Sequence, residues 1–260
     1  MSTRYIEKHI PELTLTDLSI SLWSGCGQIQ SGLYNSQPVV VKLSEIPENI
    51  NHQVINQSDF AKKRKDKSYL NEISFYSAPR FQTAFENVRP RCYFAKRIGT
   101  LNVLILEDFK SKGFRNIDDY KLEHIYAVVK WLAQFHAQGL TLINLEPFQL
   151  GGYWHLETRP DEYKKIGSID LKHHARHLAN SLYEVHYQTL IHGDSKLANF
   201  AFDNNYNVLG YDFQYVGSGI GLQDVMLFMT SVFDGEACKE HEEFMLDFYF
   251  DYLKKHLLIK

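Results

Sequence analysis

Short apolar runs separated by turn residues dominate the first hundred positions, and helical spacing takes over after them. Leu18 to Trp23, Gln28 to Tyr34 and the β-branched run Val39-Val40-Val41-Lys42-Leu43 read as strands. Ser24-Gly25-Cys26-Gly27 and Asn35-Ser36-Gln37-Pro38 lie between them as turns, and residues 46 to 60 are polar and irregular, as a loop would be. A helix is predicted from about Ala61 to Ser77, with Tyr69, Ile73 and Tyr76 on one face. Cys92 to Arg97 and Leu101 to Leu106 form a hairpin around Gly99. Beyond Glu107-Asp108-Phe109 the apolar positions Leu122, Ile125, Val128, Val129, Leu132 and Phe135 recur at helical spacing. A second helix is predicted at about Ile169 to Tyr183, short strands at Thr189 to His192 and Val208 to Tyr211, and a helical stretch from Asp224 to Leu258. The expectation is an α+β protein: a β-rich lobe over residues 1–109, a hinge near 107–113, and a helical lobe over 110–260.

Composition narrows the class. The 260 residues are 44% hydrophobic and 23% charged, which excludes disorder, collagen and fibrous coiled coil. Lys and Arg number 28 against 31 Asp and Glu, so no bulk field draws nucleic acid or an anionic membrane. Cys26, Cys92 and Cys238 are odd in number and far apart, which argues against a disulfide framework or a zinc ribbon and for a reducing cytoplasm. The N-terminus carries no apolar leader and no run approaches a membrane span. A soluble, intracellular protein is expected, with no membrane, nucleic-acid or obligate protein partner; the sequon Asn56-Gln57-Ser58 then carries no weight.

The segment Ile191-His192-Gly193-Asp194-Ser195-Lys196-Leu197-Ala198-Asn199 holds the candidate chemistry. An apolar strand ends in His-Gly-Asp, and an Asn follows the Asp five positions on. Asp212 follows in Tyr211-Asp212-Phe213-Gln214, at the end of another apolar strand. One carboxylate can orient and deprotonate a hydroxyl, while an amide and a second carboxylate offer hard oxygen ligands to magnesium, which takes few protein ligands. Ser195 beside Asp194 does not make a hydrolase, because the flanks are not G-x-S-x-G.

His192-Gly193-Asp194 with Asn199, followed by Asp212-Phe213-Gln214, resembles the catalytic and metal motifs of kinase-fold small-molecule phosphotransferases: the aminoglycoside phosphotransferase, choline kinase and ecdysteroid-kinase-like families. Gln after Asp-Phe is most similar to the ecdysteroid-kinase-like branch. The resemblance covers about residues 20 to 230 and implies a protein-kinase-like two-lobed fold, a nucleotide-binding lobe followed by a catalytic and acceptor-binding lobe, and use of ATP and Mg2+. It implies Asp194 as base, Lys196 at the transferred phosphate, and Asn199 and Asp212 on the metal. Gly25 and Gly27 would lie over the nucleotide phosphates, although the third glycine of G-x-G-x-x-G is replaced by Gln30 and a tight turn explains the pair equally well. Lys42 resembles the V-A-I-K lysine, with Glu72 as its helix partner. Val103 to Phe109 resembles the hinge that receives adenine through its backbone, which puts Glu107 and Phe109 at the cofactor. Asp224 resembles the acid that supports the catalytic loop, His136 reads as a packing residue, and His192 as a brace. Taken singly, Lys196, Lys42 and Glu72 also read as surface charges.

Other features weigh less. His173, His174 and His177 share a helix face but lack a further ligand, so a solvated face is favoured. Lys62-Lys63-Arg64-Lys65 reads as the exposed start of the helix bearing Glu72. Tyr153, Trp154, Glu157, Asp161 and Glu162 are either core and solvent-facing acids or the wall of an acceptor pocket suited to a neutral or cationic alcohol. Only about 36 residues follow Asp224, short for the resembled families, so a reduced or an open acceptor site is expected. No A-P-E segment follows Asp212, which argues against a protein substrate. The reading is a kinase acting on a small-molecule alcohol; its rival is a nucleotide-binding pseudokinase without turnover.

Overall fold

The computed structural model describes residues 3–22, 25–47, 59–142, 144–153 and 155–258. Trp23, Ser24, Trp154, the Asn56-Gln57-Ser58 triplet and most of the polar stretch from 46 to 60 lie outside the described residues. The chain divides into two compact units, Met1–Arg115 with Phe202–Asn204, and Asn116–Ala201 with Asn205–Lys260.

The first unit opens with α1 (Thr3–His9), followed by β1 (Leu13–Ser21), β2 (Gly27–Tyr34), β3 (Gln37–Ser44), α2 (Asp59–Ser77), α3 (Pro79–Ala84), β4 (Cys92–Ile98) and β5 (Leu101–Glu107). The strands form one antiparallel sheet in the order β1-β2-β3-β5-β4. Alternation does the sorting: Val39, Val41 and Leu43 of β3 and Leu101, Val103 and Ile105 of β5 bury one face together with Ile6 and Ile10. Lys42, between Val41 and Leu43 in sequence, therefore belongs to the other face. Two helices were not legible. Helix α1 is too short to show a period, and α3 begins at Pro79, which pre-sets its first turn. The buried stripe of α2 also differs from the expected one. It runs Ser68, Tyr69, Glu72, Phe75 and Tyr76, with Ile73 only half-buried, so an acid occupies an apolar stripe.

The second unit contains α4 (Leu122–Leu140), α5 (Pro160–Lys164), α6 (Ile169–Tyr183), β6 (Thr189–Ile191), β7 (Phe200–Phe202), β8 (Val208–Gly210), β9 (Gly217–Gly219), α7 (Leu222–Val232) and α8 (Gly235–Leu258). The expected apolar face of α4 is the buried one, except that Leu122 is exposed. Trp131 and Phe135 of α4 stack at 5.0 Å, and Phe135 stacks on Phe213 at 5.8 Å. The C-terminal stretch is two helices: the Asp234 carboxylate accepts from the N–H groups of Glu236 and Ala237 and starts α8 afresh. Strand β9, Gly-Ser-Gly, has no apolar signature, yet pairs with β6 through Thr189–Gly219 and Ile191–Gly217. Among the described residues no helix is long and apolar enough to cross a membrane.

Candidate active site

In the first unit, Lys42 Nζ lies 2.8 Å from one oxygen of Glu72 and 3.0 Å from the other. Both side chains are nearly buried. A lone buried ammonium or carboxylate costs several kcal/mol, so each accounts for the other's place. The same helix also holds the glycine turn. Tyr69 packs against Cys26 between Gly25 and Gly27, and its hydroxyl donates to the Cys26 carbonyl at 3.4 Å. Gly25 and Gly27 close the β1–β2 hairpin, where the Leu22 N–H donates to the Gly27 carbonyl at 2.8 Å. A side chain at position 27 would collide with the Leu43 carbonyl, 2.2 Å from its Cβ. The glycine is thus required by strand packing, whatever its relation to a ligand.

Glu107 ends β5, and Phe109 begins a 3-10 turn whose cap is Asp108. The Glu107 N–H donates to the Arg91 carbonyl and the Asp108 N–H to the Pro38 carbonyl, so neither donor serves a ligand. The Glu107 carboxylate pairs with Lys112 at 3.4 Å.

In the second unit, β6 delivers the chain into His192-Gly193-Asp194. Gly193 has φ +80°, and a Cβ there would lie 2.1 Å from the Tyr215 carbonyl oxygen, so this loop admits only glycine. Asp194 is held from several sides. Its Oδ2 accepts from Lys196 Nζ at 2.9 Å and from Asn199 Nδ2 at 3.1 Å, and its carbonyl accepts from the same amide at 2.7 Å. Asn199 is buried and spends its nitrogen on Asp194, so its side-chain oxygen is the atom that could serve a cation. His192 is buried, as a brace should be. Its Nε2 lies 3.0 Å from the Tyr211 carbonyl, and its Nδ1 accepts the Asp194 N–H at 3.3 Å. This assigns the proton to Nε2 and joins the Asp194 loop to the residue before Asp212.

Asp212 has φ +65°, a left-handed conformation costly for a side-chain-bearing residue, and its Oδ1 accepts from Gln214 Nε2 at 2.6 Å. Gln214 and Tyr211 are supporting residues whose roles the sequence did not reveal. The Tyr211 hydroxyl donates to the Ala198 carbonyl and accepts from Asn116. Burial pushes the Tyr211 phenol above its ordinary range, with Asp212 adding to the shift against the Asn116 hydrogen bond, so it remains a donor.

Asp224, in the first turn of α7, lies beneath this loop and is fully buried. Its carboxylate accepts the N–H groups of His192 at 2.6 Å and Gly193 at 2.9 Å, and its carbonyl accepts from Ser195 Oγ at 2.8 Å. Burial alone would raise its pKa. The hydrogen bond from His136, the electrostatic pull of the His136 and His192 rings and the Gly193 N–H outweigh that and hold it below the ordinary carboxylate range.

The metal reading fits its donors: Asn199 and Asp212 offer oxygens only, as a small hard cation requires. Among the described residues no group of three or more His, Cys, Asp or Glu is placed to hold a metal, and His173, His174 and His177 lie exposed on α6 as favoured. The segment around Tyr153 is less open to a cationic acceptor than its composition suggests. The Arg159 guanidinium lies 3.6 Å from the Tyr153 ring centroid, Glu162 pairs with Arg159, and Asp161 with Lys164.

The chain has the protein-kinase-like fold of the small-molecule phosphotransferases. Choline kinase LicA from Streptococcus pneumoniae is similar at TM-score 0.58 and 14% identity over 95% of this chain and 79% of that one. The microcompartment-associated aminopropanol kinase is similar at 0.56 and 12%, over 98% and 81%. Aminoglycoside-3'-phosphotransferase of type VIII is similar at 0.54 and 15%, over 98% and 97%. At such identities these likenesses speak for the fold. The model of the ecdysteroid kinase-like family matches residues 28–167 and 154–259, and the chain belongs to that family. No curated protein sequence matches it.

Proposed function

We propose that this protein transfers the γ-phosphoryl group of ATP to a hydroxyl group of a small molecule. The observation that carries the reading is the Asp194 carboxylate, gripped by Lys196 and Asn199 and tied through His192 to the residue before Asp212. Asp194 orients the acceptor hydroxyl and takes its proton. Asn199 and Asp212 hold magnesium, which when bound neutralises phosphate charge. Lys42, kept in place by Glu72, serves the nucleotide phosphates, and Lys196 serves the transferred group. Gly25 and Gly27 bring backbone close to the phosphates, and the turn from Glu107 to Phe109 receives adenine. Nucleotide binding belongs to the first unit, and catalysis with acceptor binding to the second. Three free thiols, Cys26, Cys92 and Cys238, fit a reducing compartment such as the cytoplasm.

The test is ADP release from magnesium-ATP in the presence of alcohols, sterols and amino-alcohols. Stimulation by one class, lost on Asp194→Asn, supports the reading and names the acceptor class. Nucleotide binding with neither stimulated nor basal ADP release would instead favour a pseudokinase.

A further inference from the structure

Tyr249 on α8 is buried, and its hydroxyl lies 2.9 Å from His136 Nδ1 on α4, 113 residues away in sequence. His136 Nε2 lies 3.1 Å from Asp224 Oδ2, and Asp224 accepts the N–H groups of His192 and Gly193. With a neutral imidazole, one proton arrangement satisfies this chain. A carboxylate can only accept, so Nε2 carries the imidazole proton, and Nδ1 accepts from the phenol. Burial, with the negative charge of Asp224 added, pushes the Tyr249 phenol far above its ordinary range, so it keeps its proton. The contact is closely built. A Cβ on Gly221 would lie 2.2 Å from the Tyr249 oxygen and 2.6 Å from His136 Nδ1, so position 221 admits only glycine. Thr189 Oγ1 donates to the His136 carbonyl at 2.7 Å, fastening α4 to the strand that leads into His192.

We infer that Tyr249 is a positioning residue: through His136 and Asp224 it fixes the backbone of the loop that carries Asp194, making the docking of α8 a condition for an ordered loop. The kinetic part of this inference rests on the function proposed above; the ordering part does not.

Amide hydrogen exchange on Tyr249→Phe, in the free protein, tests it without nucleotide or acceptor. The His192 and Gly193 amides should exchange about fivefold faster or more, the range for stranding one buried acceptor, while amides elsewhere in the second unit keep their rates. In a His136→Gln background, which keeps a donor for Asp224 but loses the Tyr249 contact, adding Tyr249→Phe should change neither amide. With a competent acceptor, Tyr249→Phe should lower kcat about three- to tenfold and leave KM for ATP within about twofold. Should the variant fail to fold, the wild-type protein still decides. Nitrogen-15 shifts must show His136 protonated at Nε2 alone, with a slowly exchanging Tyr249 hydroxyl proton near its ring. Unchanged His192 and Gly193 exchange, uniform acceleration of all amides, an equal effect in both backgrounds, or a wild-type His136 protonated at Nδ1 would each overturn it. Absence of turnover in every variant would count against the proposed function and leave the exchange result standing.

Discussion

Lys42 and Glu72 stand 30 residues apart in sequence and 2.8 Å apart in space, each almost closed off from solvent. Removing one partner strands the other's charge. Glu72→Ala should therefore cost about 3–5 kcal/mol of stability, measured by chemical denaturation. The pair Lys42→Met with Glu72→Leu should recover most of that loss, yet bind ATP no better than Lys42→Ala. If Lys42→Ala binds ATP as the wild type does, calorimetry removes Lys42 from the nucleotide site.

Asp194→Asn should bind magnesium-ATP nearly as the wild type does and turn over about 10²–10⁴ times more slowly, the range for a lost positioned base. Its Oδ2 also loses the charge that Lys196 and Asn199 now satisfy. Steady-state kinetics with unchanged turnover would take Asp194 out of the mechanism.

Asp212→Ala should abolish the magnesium dependence of nucleotide affinity, because the remaining ligand proposed here, the Asn199 oxygen, is neutral. Gln214→Ala should weaken it less, since Gln214 only steadies the Asp212 carboxylate through its 2.6 Å hydrogen bond. Titrations of nucleotide at several magnesium concentrations separate the two. Equal effects would mean that Gln214 is itself a ligand.

Asp224 sets an acid limit. Its carboxylate is held below its unfolded value, so the stability it contributes is fully present above about pH 4 and is lost as pH falls through the lower folded value. Denaturation midpoints of Asp224→Asn should lie below those of the wild type at pH 7. They should fall less steeply than the wild type's as pH drops below about 4. Parallel acid limbs would show that other groups carry the titration.

Much of the framework was legible because burial leaves a period. The β-branched run that ends in Lys42-Leu43, the i, i+3, i+4 stripe of α4 and the bounds Ile169 and Tyr183 of α6 were all read from one-dimensional pattern. The motif residues were visible too, since His-Gly-Asp, Asn199 and Asp212 stand at fixed spacing. Illegible were contacts made only in three dimensions. Glycine-rich β9 has no side-chain pattern, and its pairing with β6 is backbone chemistry. Gln214 and Asn116 are polar supports that could as well have faced water. Tyr249 sits in an aromatic helix, where nothing in sequence separates it from its neighbours Phe248 and Phe250. Arg159 over Tyr153 shows the opposite hazard, an aromatic and acidic composition already neutralised by its own chain.

Both donors to the Asp194 carboxylate reach the same atom, Oδ2. An ammonium and an amide on one oxygen draw the carboxylate's charge toward it, and the bond from carbon to Oδ1 gains double-bond character. Asp194 is in that sense closer to a polarised carbonyl than to a symmetric anion. An alcohol presented to Oδ1 would meet a hydrogen-bond acceptor whose direction the two donors on the other oxygen hold fixed. Such aim suits a loose transition state, in which the incoming oxygen needs alignment more than charge.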